Sequence, residues 1–250
     1  MKNNLFAGME YFWRGLGMLS SPGLRLYVLL PILMNVIVIG AGSYFLLGWA
    51  SDWQLPESSW FSWISWLVVP LVIVALALVS GYFFSALLLL FASPFFGLLA
   101  GELERRYGLE IEDEAIGKLV ARTVTRELIK MKYYLPRYIG LLILSFIPLL
   151  YPVMPFVWFW FGSWVLALQY TDYTFDNQNV DFDNTRQQVG EQRWTAWGFG
   201  GLVSVLMMIP VFNAVVPPAA VIGATIWQME KQNRRLLVDK RDGTAAIESS

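Results

Sequence analysis

The chain has no cysteine and no histidine among its 250 residues. Without them it has no disulfides, no thiol nucleophile and none of the commonest zinc ligands. The absence of histidine also removes the side chain that most often changes charge near neutral pH, so proton coupling would fall to carboxylates. No glycine-rich nucleotide loop, serine-hydrolase elbow or metal-binding motif is found. We therefore expect neither an enzyme nor a protein that holds a cofactor or metal.

Charged residues are also scarce. They make up 15% of the chain, while 56% of residues are hydrophobic and the mean hydropathy is +0.51; soluble domains usually have about 25% charged residues. A net charge of −1 gives no indication of nucleic-acid binding. The first 25 residues lack a basic stretch followed by an apolar core, so we expect no cleavable signal peptide. The composition predicts an integral membrane protein.

Two long uncharged segments predict transmembrane helices. Residues 26–50 are long enough to cross a hydrocarbon core of about 30 Å. Residues 61–101 exceed what one span needs, so this helix must tilt, kink or project from the bilayer. Pro94, which has no backbone donor, is the favoured break.

The basic residues predict the orientation of these spans. All eighteen lysines and arginines lie outside residues 26–104, and the connection at 50–60 has none. By the positive-inside rule, both termini and residues 102–137 are cytoplasmic and residues 50–60 lie outside. The tail, residues 230–250, is then cytoplasmic as well.

Two further stretches are amphipathic. Residues 1–21 have apolar side chains at helical spacing, which favours a helix on the membrane surface; a helix packed on the rest of the protein is the alternative. Within the charged cytoplasmic helices of residues 102–137, basic residues recur every four positions, at Lys118, Arg122, Arg126 and Lys130. Such a stripe meets anionic headgroups or attracts a soluble anion, and the sequence leaves both open.

Residues 138–168 and 198–229 are apolar but interrupted near their middles by proline. Each half has the length of a half-membrane helix, which favours re-entrant hairpins over kinked single spans. Paired interrupted segments of this kind also indicate a transport site. The interrupting prolines are Pro148, Pro152, Pro155, Pro210, Pro217 and Pro218. We therefore predict one all-α membrane domain over residues 1–250, with two long transmembrane helices, two pairs of re-entrant half-membrane helices and amphipathic cytoplasmic helices.

The sequence SSPGLRL, residues 20–26, precedes the first span and has the residue types of an anion site. Ser20 or Ser21 suits a helix N-cap and Pro22 the first helical turn. Gly23 lets another group approach the backbone, and Arg25 adds a planar fork of donors. Together they could hold a tetrahedral oxyanion, whereas an arginine at this position could also be a simple membrane anchor.

A second charged cluster, GELERR at residues 101–106, lies where the second span ends. Glu102 and Arg106 are four residues apart and could form an ion pair. Charges at this depth are costly unless they are paired or hydrated, so the cluster is a candidate site. A solvated helix end is the alternative.

The third cluster is QYTDYTFDN at residues 169–177. Asp172 and Asp176 share one face if the preceding helix continues through them. Paired carboxylates indicate a metal or proton site, and the Tyr-Asp-Tyr pattern fits an interfacial lock equally well.

Five stretches together resemble the CysZ family of bacterial inner-membrane sulfate permeases. They are SPGLRLYVLLPILMN, GYFFSALLLLFASPFFGLLAGELERR, YYLPR, QYTDYTFDN and MIPVFNAVVPPAAVIGAT. The resemblance implies a multi-pass protein that brings sulfate into the cytoplasm for cysteine synthesis by proton-dependent uptake. It also implies two long membrane helices, two pairs of half-penetrating helices and a homo-oligomer in the bilayer.

The resemblance also implies site residues. The sulfate loop falls on Gly23, Leu24 and Arg25, with Ser21 beside them, and Leu26 stands where family members often have a second basic residue. The polar route matches Leu103, Glu104 and Arg106. Candidates along that route are Glu102, Asn35 and Asn213, and candidates for proton coupling are Glu104, Asp172 and Asp176.

Two other functions remain open at this point. Hairpins that dip into one leaflet could form a membrane scaffold that transports nothing. A permease for another oxyanion, such as phosphate or thiosulfate, would differ only in the size and protonation of its site.

Overall fold

The computed structural model describes residues 3–26, 93–110, 115–209, 212 and 215–248, with isolated positions from 29 to 71. The chain forms two compact units: residues 1–28 with 94–250, and residues 29–93. Most of the predicted spans 26–50 and 61–101 lies outside the described residues, as do Asn35 and Asn213. Among the helices of the described residues, none is both long enough and apolar enough to cross a membrane.

Every regular element of the described part of the first unit is helical, which confirms the all-α class. The helices are α1 (Leu5–Met18), α2 (residues 93–106), α3 (Ile116–Leu144), α4 (Met154–Asn177), α5 (Phe182–Gly190), α6 (Arg193–Met207) and α7 (Val216–Glu248), with a short 3₁₀ turn at Pro148–Leu150.

Helix α1 packs tightly against α6 and α7 through glycine. A Cβ on Gly8 would lie 2.0 Å from the carbonyl oxygen of Thr195, and one on Gly15 would lie 2.2 Å from that of Ala219. Only a residue without a side chain allows backbones to approach this closely. This contact fits the alternative of a packed N-terminal helix, although Phe6 on the outer side is 80% exposed.

The helices break where the two proline-rich segments predict. Helix α3 ends at Leu144 and α4 begins at Met154, while α6 ends at Met207 and α7 begins at Val216. Large apolar side chains are exposed around both breaks: Phe146 (73%), Leu149 (86%), Phe156 (73%) and Met208 (70%). Such tips are suited to an apolar environment.

The predicted segment boundaries at 137/138, 168/169 and 229/230 are not helix boundaries. Helix α3 continues through Pro136 to Leu144, and α4 continues to Asn177. These boundaries follow the change from apolar to polar side chains, but the backbone hydrogen bonds of a helix do not depend on side-chain polarity. The longer α4 is what brings Asp172 and Asp176 onto a helix.

Candidate functional site

The end of α2 lies against the loop of residues 20–26. Arg106 Nη2 donates a hydrogen bond to the carbonyl oxygen of Pro22. A Cβ on Gly23 would lie 2.6 Å from Arg106 Nη2 and 3.4 Å from Glu102 Oε1. The SSPGLRL loop and the GELERR cluster therefore form one site, and Gly23 is the loop residue that approaches Arg106 and Glu102.

The loop at residues 20–26 contains a turn at residues 22–24, directly before the helical conformation that begins at Arg25. Gly23 has a φ of +87°, in the left-handed region that favours glycine. Leu24 is fully buried and its N–H donates to Ser21 O at 3.2 Å. Helical conformation begins at Arg25, so the expectation that Pro22 lies in the first helical turn is wrong, because a positive φ at Gly23 cannot belong to a helix.

The charged side chains at this site are accessible to solvent. Arg25 is exposed and its Nε donates to Ser20 O at 2.6 Å. Arg106 Nε lies 3.5 Å from Glu102 Oε1, so the predicted ion pair is present. An oxyanion approaching Gly23 would meet the Arg106 donors and would compete with the Glu102 carboxylate for them.

Glu104 lies apart from this site, although it is only two positions from Arg106. It is fully buried, and its Oε2 and Oε1 accept hydrogen bonds from Asn177 Nδ2 (2.9 Å) and Gln178 Nε2 (2.6 Å). Two positions on an α-helix are separated by about 200°, which places the two side chains on different sides of α2. The expected single route through Glu104 and Arg106 is therefore divided into two separate clusters.

Amide side chains extend the contacts of Glu104 to a third helix. Gln178 Oε1 accepts from Gln232 Nε2 of α7 at 2.7 Å, and Asn177 Nδ2 also donates to Gly97 O at 2.9 Å. Burial raises the pKa of Glu104 to about 7, against the opposing effect of its two amide donors. No charge pattern marks Asn177, Gln178 or Gln232 as partners of a buried carboxylate, because amide side chains are neutral.

Asp172 and Asp176 share one face of α4, as predicted, and that face packs on α3. Asp172 is 1% exposed, and its Oδ1 accepts from Arg126 Nη2 at 2.6 Å while its Oδ2 lies 3.3 Å from Lys130 Nζ. Asp176 Oδ2 lies 2.5 Å from Arg122 Nη1. In the described ranges no group of acidic side chains could hold a metal ion.

Three residues of the basic stripe of α3, Arg122, Arg126 and Lys130, therefore face α4, while Lys118 is exposed. Neither sequence interpretation predicted this. The outer side of α3 instead exposes apolar residues at helical spacing: Leu128 (60%), Met131 (52%), Leu135 (51%), Ile139 (47%) and Leu142 (53%). A signal was available, because Arg122 and Arg126 have the same four-residue spacing as Asp176 and Asp172. Two antiparallel helices would match these pairs.

A family described as "Sulfate transporter CysZ/Etoposide-induced protein 2.4" matches residues 11–218. The chain belongs to this family. The resemblance to the CysZ family is thereby confirmed.

Curated relatives from three bacteria, each named "Sulfate transporter CysZ", match most of the chain. The protein of Pectobacterium atrosepticum is 39% identical over 94% of this chain and 89% of its own length. That of Vibrio parahaemolyticus is 39% identical over 94% of this chain and 99% of its own. That of Salmonella typhimurium is 40% identical over 88% of this chain and 90% of its own. The family match includes the loop at 20–26, the end of α2 and both aspartates.

Proposed function

We propose that this protein carries sulfate across the bacterial inner membrane into the cytoplasm, where it supplies sulfur for cysteine biosynthesis. The relatives named as sulfate transporters support the substrate. The observation that carries the proposal is the contact of Arg106 with the Gly23 loop. It places a guanidinium group beside a backbone segment that has no side chain at Gly23.

The chemistry of this site suits a dianion that must be released again. Sulfate loses strong hydration when it binds, so fixed donors must replace water. Arg25 and Arg106 supply such donors, and Gly23 leaves room for close approach. Glu102 competes for Arg106 and keeps the affinity moderate, which transport requires.

The same proposal includes the arrangement in the membrane. Residues 26–50 and 61–101 span the bilayer, the two proline-interrupted segments enter it as hairpins, and both termini are cytoplasmic. The exposed apolar tips around Phe146, Leu149 and Met208 support burial of the hairpins in lipid. The protein acts as a homo-oligomer, as the family resemblance implies.

Glu104 is the carboxylate that best fits a proton-coupling role. Asp172 and Asp176 are engaged in ion pairs with arginine and lysine side chains of α3. Among the residues that the structure describes, the donors within hydrogen-bond distance of the Glu104 carboxylate are the amides of Asn177 and Gln178. A protonated Glu104 needs a hydrogen-bond acceptor, which the Gln178 amide oxygen becomes if this amide rotates. The Gln178 nitrogen then faces Gln232, whose own amide rotates so that its oxygen accepts. A single proton thus changes contacts among α2, α4 and α7.

The charged groups of the helices around Glu104 are engaged elsewhere. From α4, Asp176 pairs with Arg122; from α7, Glu230 pairs with Arg14 and Lys231 with Glu191. On α2 itself, Arg106 faces Glu102 and Pro22. Burial therefore decides the protonation of Glu104.

Uptake of radiolabelled sulfate into liposomes that contain only this protein tests the function. We expect uptake above that of empty liposomes, greater with an inward proton gradient. Arg106→Ala should reduce uptake about tenfold or more, since it removes a charge-assisted donor. The control is Arg193→Ala, which removes an exposed arginine from the start of α6.

The other outcomes separate the alternatives. No uptake by a folded protein would contradict transport and favour the membrane scaffold. Equal competition by phosphate or thiosulfate would contradict the choice of sulfate. Uptake that ignores the proton gradient would leave sulfate transport intact and contradict the role of Glu104.

A further inference from the structure

Arg137, which is exposed, differs from the basic residues that precede it on α3. Arg122, Arg126 and Lys130 each lie against a carboxylate. Arg137 Nη1 instead donates to the carbonyl oxygen of Tyr133 at 2.7 Å, and its Cζ lies 3.7 Å from the centre of the Tyr133 ring. In the portion of the chain that the structure describes, no carboxylate forms an ion pair with Arg137.

A second arginine lies over the same ring. Arg186 of α5 has its Cζ 4.8 Å from the centre of the Tyr133 ring. Its ion-pair partner is Asp183, whose Oδ1 lies 3.3 Å from Arg186 Nη2 and whose side chain is 80% exposed. Solvent screens such a pair strongly, so two guanidinium groups share one ring with little negative charge beside them.

Three helices hold this ring in place. Tyr133 belongs to α3, its hydroxyl accepts a hydrogen bond from Trp164 Nε1 of α4 at 3.4 Å, and its edge meets Phe182 of α5 at 5.7 Å between ring centres. The two arginines are therefore positioned by packing. Their Cζ atoms lie 3.7 and 4.8 Å from the same ring centre, and planar guanidinium groups bind oxyanions, phosphate above all, through paired hydrogen bonds.

The surroundings of the ring are those of a membrane interface. Trp164 contacts Trp197, which belongs to a cluster of tryptophans. The ring centres of Trp160 and Trp197 are 4.1 Å apart, and those of Trp194 and Trp197 are 5.2 Å apart. Trp160 and Trp194 are 43% and 41% exposed. Tryptophan concentrates where headgroups meet hydrocarbon. A soluble anion would contact only the arginines, whereas a phospholipid would contact the arginines with its headgroup and the aromatic surface with its acyl chains.

We propose that Arg137 and Arg186 bind the phosphate of an anionic phospholipid in the cytoplasmic leaflet. The acyl chains lie along the exposed tryptophans and the apolar flank of the first hairpin. The proposal rests on the membrane insertion included in the proposed function and is independent of sulfate transport. The site fixes the depth of the hairpin, because α3 passes from charged to apolar sequence at Arg137.

Native mass spectrometry of the full-length protein with added phosphatidylglycerol or phosphatidylcholine tests this site. We expect phosphatidylglycerol to be retained preferentially. Each of Arg137→Gln and Arg186→Gln should weaken its retention about fivefold, the effect of one cation at a membrane surface. The control is Lys132→Gln, an exposed cation on α3 that is not stacked on the ring and should leave retention unchanged.

A second variant protects the test against misfolding. Asp183→Asn removes an exposed acid beside Arg186, so it should leave the fold intact and strengthen phosphatidylglycerol retention. Retention unchanged in all three variants, or equal for the two lipids, would overturn the proposal. Displacement of the lipid by millimolar inorganic phosphate or sulfate would assign the site to a soluble oxyanion and overturn it too.

Discussion

Arg106 donates a hydrogen bond to the Pro22 carbonyl, across 84 positions of the chain. This contact fixes the end of α2 against the loop that precedes the first predicted span. It also places Glu102, the ion-pair partner of Arg106, beside Gly23. Arg106, its ion-pair partner Glu102 and the backbone of Gly23 therefore lie together, and each can be tested by a separate substitution.

Gly23→Ala tests the loop. The substitution forces a side chain into a left-handed conformation and against the Arg106 guanidinium, at a cost of about 1–2 kcal/mol in the free energy of unfolding. Sulfate affinity, measured by calorimetric titration, should fall about tenfold as the loop shifts. Gly17→Ala is the matched control, since a Cβ on Gly17 of α1 would meet nothing within 4 Å. Equal behaviour of the two variants would contradict the role of Gly23.

Glu102→Gln tests competition for Arg106. Removing the carboxylate should raise sulfate affinity, because the arginine no longer has an anionic partner 3.5 Å away. A gain of about 1.5- to 5-fold is expected, since exposed ion pairs contribute about 0.2–1 kcal/mol. Glu110→Gln, at an exposed glutamate beyond α2, should change nothing. A loss of affinity in Glu102→Gln would show that this carboxylate supports the site.

Glu104→Gln tests the buried carboxyl. Its pKa is raised from 4.5 to about 7, so between these values the folded state keeps a proton that the unfolded state loses. The free energy of unfolding should therefore fall as pH rises from 4.5 to 7 and be constant above it. Glu104→Gln should remove this slope in thermal unfolding and flatten the pH profile of sulfate uptake. A slope unchanged by the substitution would assign the effect to another group.

Asp172→Asn tests the inward-facing charges. The variant leaves Arg126 and Lys130 buried without their shared carboxylate, which should lower the free energy of unfolding by about 3–5 kcal/mol. Asp183→Asn, at an aspartate that is 80% exposed, should change it by less than about 0.5 kcal/mol. Thermal unfolding in detergent measures both. Similar stability of the two variants would contradict the structural role of Asp172.

Hydrophobic periodicity and proline positions predicted where the helices begin and end better than they predicted which side of each helix is buried. The breaks around Pro148 and before Val216 follow from backbone chemistry that is local in sequence. The inward turn of Arg126 depends on Asp172, 46 positions away, and the burial of Glu104 depends on Asn177, 73 positions away. Such partners are invisible to any local pattern, since a basic stripe looks the same whether water or an acid faces it.

Family resemblance located the Gly23 loop, and the structure added what the loop touches. The pairing of Glu102 with Arg106 was predictable because four positions bring two side chains together on a helix. The separation of Glu104 from Arg106 followed from the same helical geometry, although the shared motif suggested a single route.

The glycine contacts of α1 also constrain the order in which the protein can fold. Its N-terminal helix is made first, but its partners come last, and Asn3 Oδ1 accepts a hydrogen bond from the N–H of Thr195, 192 positions later. At the usual rates of about 5–20 residues per second, α1 waits roughly 10–40 s on the ribosome before α6 exists. During that interval its apolar face needs a temporary partner, which the membrane surface itself can provide.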